Sequence, residues 1–281
     1  MADNSQYAAR RAAFRKLHEG GCFMLPNPYD VGTAVYLKHL GFKALASTSA
    51  GFAFSRGLPD HAVTRDMVLA HLRELVAATD LPVNADYEHG FADAPEQVAE
   101  NVRLAVATGI AGVSIEDSTN DKSKPKPLYE LAEAVERMRA ARAAIDATGE
   151  DVMLIGRAEC FLVGHEDALN ESIRRLQAYA EAGADCLYAP GVRKREDIAV
   201  LVKAIAPKPF NLLIGLASPL TLDDYAAVGV RRISVGSAFA GAVWGAFARA
   251  ARHLAEGRFD GFAQNEGTAA LNKTFADAAK T

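Results

Sequence analysis

Short apolar, β-rich runs recur along this chain, and a segment with helical periodicity follows most of them. The runs are "CFML", "KALAS", "LPVNAD", "AGVSIED", "VMLIGRAE", "CLYAP", "FNLLIG" and "RRISVGS". Between them lie segments such as "VGTAVYLKHLG", "TRDMVLAHLRELVAAT", "PEQVAENVRLAVATG", "YELAEAVERMRAARAAI" and "EDALNESIRRLQAYAEAG", several closed by the glycine that commonly ends a helix. Eight strand-then-helix units in this length predict an α/β fold of the TIM (β/α)8 barrel type. A doubly wound sheet is the competing architecture, but no G-x-G-x-x-G follows the first run, where a dinucleotide site needs it. An N-terminal helix precedes the first strand. After the eighth come a long small-residue-rich helix, "AFAGAVWGAFARAARHLAEG", and a further helical stretch, "EGTAALNKTFADAAK". No Gly/Ser linker or low-complexity tract interrupts the pattern, so one barrel domain is expected over residues 1–281.

The 281 residues are 50% hydrophobic, enough for a large core, and the 23% that are charged argue against disorder. A formal net charge of −4 leaves no basic footprint for nucleic acid, and no run reaches the roughly 18 apolar residues of a membrane span. Small molecules are the expected partners. The N-terminal arginines imitate a transit peptide, but an amphipathic helix before the first strand accounts for them, and the apolar core of a signal peptide is lacking. Cys22, Cys160 and Cys186 sit singly, without metal-ligand spacing, and an odd count opposes a disulfide framework. A cytoplasmic location is expected.

Barrel active sites lie at the C-terminal ends of the strands. Those ends gather Ser47 and Ser49, then Asn84, Asp86 and Glu88, then Glu116 and Asp117, then Arg157 and Glu159. Acids converging beside one arginine suit a hard divalent cation such as Mg²⁺, which takes oxygen ligands. The arginine fork suits a carboxylate. A 2-oxo acid that chelates the metal satisfies both, with the metal stabilising an enolate as a bond to the third carbon breaks. Taken singly, Asp86 or Glu116 is as readily a helix cap or a surface acid. His89 is a weaker candidate in the following loop.

At these residues the sequence resembles the isocitrate lyase and phosphoenolpyruvate mutase superfamily, over nearly the whole chain. The matching stretches are "NPYDVGTAVYLKHLGFKALASTSAGFAFSRGLPD", "VNADYEHGF", "GVSIEDS", "GRAECF" and "AGADCLYAPG". The resemblance implies a Mg²⁺-dependent barrel, with Mn²⁺ as an alternative, that makes or breaks a C–C or C–P bond next to a 2-oxo carboxylate. The implied metal set is Asp60, Asp86 and Glu116, with Asn84 and Glu88 beside them. The catalytic set is Arg157, Lys122, Asp60 and Glu116. Substrate contacts are expected from Tyr29, Ser47, Ser49, Ala50, Asp86, Arg157 and Asn211, the backbone N–H groups around Ser49 and Ala50 forming an oxyanion site.

Two departures stand out. The family's D-x-D on the third strand is Asn84-Ala85-Asp86 here, with Glu88 placed to restore the charge. The loop "EDSTNDKSKPKPLYE" lacks the cysteine of the lyase branch and carries Lys122 and Lys124. Cleavage of isocitrate or 2-methylisocitrate is therefore not expected, and oxaloacetate or phosphonopyruvate is the better substrate type. Three readings compete: a barrel that binds 2-oxo acids without turnover, a Schiff-base aldolase, and a phosphate site at "VGSAF" whose Ser237 is otherwise a plain helix cap. Family members commonly exchange a C-terminal helix, so a homodimer or homotetramer is expected through the helix that holds Trp244.

Overall fold

The computed structural model of the protein describes residues 4–119, 123 and 127–278. Eight strands form one parallel sheet: β1 Phe23–Leu25, β2 Leu45–Ala46, β3 Val83–Asp86, β4 Gly112–Glu116, β5 Met153–Arg157, β6 Cys186–Tyr188, β7 Phe210–Leu213 and β8 Arg232–Ser234. Their order, β1-β8-β7-β6-β5-β4-β3-β2, leaves one seam between β1 and β2. Hydrogen bonds just beyond the strands bridge that seam. The Ala46 N–H donates to the Pro26 carbonyl at 3.0 Å, and Asn27 Nδ2 to the Ser47 carbonyl at 2.8 Å. Asn27 Oδ1 accepts from the N–H groups of Val235 and Gly236 at 2.8 and 2.9 Å, so one amide ties the ends of β1, β2 and β8. The expected (β/α)8 barrel is the observed fold.

The helices are α1 Asn4–Leu17, α2 Val31–His39, α3 Ser49–Ser55, α4 Arg65–Ala78, α5 Pro95–Val106, α6 Leu131–Thr148, α7 Ala168–Glu181, α8 Arg195–Ile205, α9 Leu222–Ala226, α10 Ala238–Ala255 and α11 Thr268–Ala278. Their starts follow local chemistry. Asp30 begins α2 with a reciprocal capping box to Thr33, Thr48 and Thr64 cap α3 and α4, and Pro95 opens α5 where its missing N–H costs nothing. The amphipathic outer helices bury one face against the sheet, giving a core that includes Val98, Val102, Leu176 and Leu201.

A second apolar cluster fills the barrel's lower interior, where Phe14 of α1 packs with Leu25, Ala46, Met153, Ile155 and Cys186. Arg11 fixes this plug by donating to the Ile110 and Val106 carbonyls and pairing with Glu150. Space is tight there: a Cβ at Gly112 would lie 2.6 Å from Asn84 Oδ1 and 2.8 Å from Phe14 Cε1. The barrel is thus stoppered at one end and open at the other.

The terminal helices differ from the rest. The helix α10 packs along α3, and among its described residues only Ala240 is buried, while Trp244 and Phe247 stay 44% and 59% exposed. The helix α11 lies against α2 of the same chain. No helix among the described residues is long and apolar enough to cross a membrane.

Candidate active site

The sheet register arranges the site. Glu116, Arg157, Tyr188, Asn211 and Arg232 are successive Cα partners across β4 to β8. Partners in a parallel ladder share a face, so these side chains form one inward row. Because barrel strands are staggered, the row occupies the last position of β4, β5 and β6 but the first of β8. It therefore winds from the open mouth down towards the plug.

Arg157 is the hub of the upper part. Its Nη1 lies 3.2 Å from Asp86 Oδ1 and 3.3 Å from Glu116 Oε2, its Nε donates to Glu159 Oε1, and its guanidinium lies 5.2 Å from the Tyr188 ring centroid. Asp86 is also held from the turn between β2 and α3. The N–H and hydroxyl of Ser49 both donate to Asp86 Oδ2 at 2.9 Å, and the Asp86 N–H donates to Ser47 Oγ at 2.8 Å. Burial drives the Glu116 carboxyl well above the usual carboxylate range and raises Glu159 too, although Arg157 opposes both shifts. Burial also raises the Tyr188 phenol to about 12, so it stays protonated.

A second group meets at His61, whose Nδ1 lies 3.4 Å from Glu88 Oε2 and whose Nε2 lies 3.6 Å from Asp60 Oδ2. The bond to Glu88 lifts the imidazole to about 9, with Asp60 and Glu116 adding to the shift, so His61 is a cation at neutral pH. Burial raises the Glu88 carboxyl, and its Oε1 has no hydrogen-bond partner among the described residues. His61 and Glu88 both adopt left-handed backbone, with φ of 65° and 47°, a conformation that is uncommon outside glycine and clusters at functional sites. Across the two groups five acids, Asp60, Asp86, Glu88, Glu116 and Glu159, face two cations, Arg157 and His61.

That excess bears on the metal. Oxygen donors, more carboxyls than cations and a buried Glu88 oxygen without a partner among the described residues all fit a hard divalent cation. As they stand, the described acids are drawn to Arg157 and His61, and no three metal-ligating side chains among the described residues converge on one point.

A cavity of about 150 Å³ opens beside Arg157. Of the residues expected at the site, Ser47, Ser49, Ala50, Asp60, Asn84, Asp86, Arg157 and Asn211 line it. Glu116, 3% exposed, stands behind Arg157, and Glu88 stands behind His61. Asn84 lies one layer below Asp86, with its Nδ2 bonded to the Ala85 carbonyl and its Oδ1 without a partner among the described residues. Tyr29 is outside the lining, and Asp30 caps α2. His89 is outside the lining too, with its imidazole lowered to about 4 by burial. Asp117 faces the helical layer, accepting from Tyr179 Oη at 2.6 Å and Arg175 Nη1 at 3.1 Å. Lys122 and Lys124 fall outside the described residues.

The Ser49 N–H, assigned above to an oxyanion site, is already committed to Asp86. Ser237 stands at the N-cap of α10 without a capping hydrogen bond and faces the cavity. No lysine among the described residues lines the cavity, where a Schiff-base aldolase would need one. Sequence reasoning missed His61, Tyr188 and Arg232. The doubled arginine that opens "RRISVGS" was the available sign of the last.

The comparisons agree with this geometry. A family model for phosphoenolpyruvate phosphomutase matches residues 14–255. A 2-methylisocitrate lyase from Escherichia coli K12 is 30% identical over 232 residues, 80% of this chain and 75% of that protein. A solved structure from Burkholderia cenocepacia J2315, described as a candidate lyase/mutase, superposes with a TM-score of 0.91 at 45% identity and covers 97% of each chain. Oxaloacetate acetylhydrolase, solved with its product oxalate, gives 0.84 at 27% identity over 98% of this chain and 96% of that one. With the motifs in order and the barrel and its acidic mouth in place, the chain belongs to the phosphoenolpyruvate mutase and isocitrate lyase superfamily.

Proposed function

We propose that this protein is a divalent-cation-dependent enzyme that binds a small 2-oxo carboxylate, or its phosphonate analogue, in the barrel mouth. It makes or breaks the C–C or C–P bond to the third carbon through an enolate-like intermediate. The observation that carries this reading is the acid excess around Arg157 and His61, on a cavity of a size that suits a small molecule. The relatives support the same chemistry, since one is named for 2-methylisocitrate cleavage and another holds oxalate.

Asp60, Asp86 and Glu116, with Glu88 beside them, would hold Mg²⁺ or Mn²⁺, which polarises a carbonyl oxygen and stabilises enolate charge. Ser49 fixes the rotamer of Asp86 through two hydrogen bonds. Arg157 neutralises Asp86 and Glu116 and offers its remaining N–H groups to a substrate carboxylate. Asn211 presents an amide from β7, oriented by Ser234 and Arg232. Lys122 enters as a candidate catalytic residue through the family resemblance alone. A second copy of the chain is proposed to cover the exposed face of α10, giving a homodimer or homotetramer.

The test is turnover of oxaloacetate, phosphonopyruvate, isocitrate and 2-methylisocitrate with Mg²⁺ or Mn²⁺ and again after exhaustive chelation. Oxaloacetate or phosphonopyruvate should lead. The two isocitrates should lag by about 10²- to 10⁴-fold, the usual cost of a missing general acid or base. No described cysteine can supply one: none lines the cavity, and burial raises Cys22 to about 11 and Cys160 to about 12. Isocitrate cleavage that matches the other pair would sink the loop argument. Tight binding with no turnover of any compound would favour a non-catalytic 2-oxo acid barrel.

A further inference from the structure

The inward row carries two arginines in opposite electrical settings. Arg157 meets three carboxylates, whereas Arg232, only 2% exposed, meets none among the described residues. Arg232 Nε donates to Asn211 Oδ1 at 2.8 Å, and its Nη1 lies 3.4 Å from His18 Nε2. His18 Nδ1 is 2.8 Å from the Phe14 carbonyl, so the proton sits on Nδ1 and Nε2 accepts. Burial lowers that imidazole to about 3, so His18 is neutral. Cys186 and Tyr188, the other groups that act on Arg232, are kept protonated by burial. A buried guanidinium is thus surrounded by neutral groups, which is costly unless something supplies an anion.

Arg232 lines the same cavity as Ser49, Asp86, Arg157 and Asn211. We infer that Arg232, held in place by Asn211, is a second anion ligand at the foot of the site, one that takes the second acidic group of the substrate proposed above. The inference rests on the 2-oxo acid reading for the upper end of the ligand. There the 2-oxo carboxylate lies beside Asp86 and Arg157, and the second acidic group, a carboxylate or phosphonate, descends to Arg232. A cavity of about 150 Å³ suits a compact diacid. The competing role is structural: through His18, Arg232 ties α1 to the barrel. A purely structural arginine would change stability but would not discriminate one anion from two.

The test measures affinity of the full-length protein with Mg²⁺ for two matched pairs, pyruvate against oxaloacetate and butyrate against succinate. It is read as Kd, or as KM where the compound is turned over. A charge-assisted hydrogen bond predicts a preference for the dianion of about 10- to 100-fold in each pair. Arg232→Met should erase it, and Arg232→Lys should retain only part of it. A wild type without the preference, or an unchanged ratio in Arg232→Met, overturns the inference. Should Arg232→Met not fold, Arg232→Lys with its full ratio intact overturns it equally. Failure of both 2-oxo acids, with succinate still bound through Arg232, would remove the proposed reaction and leave the anion subsite. Bound 2-oxo acids with an Arg232-independent ratio would do the reverse.

Discussion

Arg157→Met should cost this protein stability as well as activity. The guanidinium touches Asp86, Glu116 and Glu159, and all four side chains are largely buried. Removing one partner of a buried ion pair costs about 3–5 kcal/mol, because the other charge is left uncompensated. Three such losses do not add, since one cation serves all three acids. Glu116 and Glu159, already pushed up by burial, relieve part of the cost by taking up protons. A total of about 3–5 kcal/mol is therefore expected, or a fall in Tm of roughly 5–9 °C for a chain of this size. Urea unfolding followed by circular dichroism at pH 7.5, with chelator present, gives the value. Adding Glu116→Gln to Arg157→Met should return part of the loss by removing one orphaned acid, and Mg²⁺ should narrow the gap to wild type. A loss below about 1 kcal/mol, or a Glu116→Gln change that destabilises the variant further, would show that the acids do not depend on Arg157.

Asp86→Asn should weaken Mg²⁺ binding, measured by calorimetry, more than Asp60→Asn or Glu116→Gln, because Asn84 already leaves β3 with a neutral residue where the family has an acid; an equal or smaller effect would displace Asp86 from the centre of the set. His71 stacks on Phe52 with centroids 4.0 Å apart, and burial lowers it to about 4. Its folded pKa lies below its unfolded value, so its stability contribution is complete above about pH 6.5 and is lost as pH falls from there towards 4. His71→Leu should remove about 2 kcal/mol of the stability change between pH 7 and pH 5, and an unchanged pH dependence in urea titrations would refute this. For the proposed oligomer, light scattering at micromolar concentration should give a dimer or tetramer for the wild type and a smaller species for Phe247→Glu; a monomeric wild type would leave the exposed α10 face unexplained.

The fold was legible because it depends on local signals repeated eight times. Each apolar run contains a strand, although the ladder in "KALAS" shrinks to Leu45–Ala46. What the pattern hid is whatever is too short for a period or too distant in the chain. The seven-residue helix α3 completes barely two turns, so its only sequence sign is the Thr48 cap. The seam closure needs Asn27, Ser47 and Val235 to meet across about two hundred residues, and no window on the sequence contains all three.

The site was half legible, and the divide follows the pleat. Alternation along a strand tells which residues share a face, but not how far one strand is displaced along its neighbour. Glu116 and Asp117 are adjacent in sequence, yet one turns inward to Arg157 and the other outward to Arg175 and Tyr179. Reading strand ends as a flat ring gathers both. The stagger then places Arg232, the first residue of its strand, on the same inward row as Glu116, the last of its own. A search confined to strand ends passes over such a residue. One of the counter-charges was hidden for a related reason. Arg157 was legible beside the acids as a ligand for substrate, but only the fold shows that Arg157 and His61 pair with those acids. A cation bound here must therefore compete with two resident ones, and its affinity depends as much on how readily His61 and Arg157 yield their acids as on the number of carboxylates.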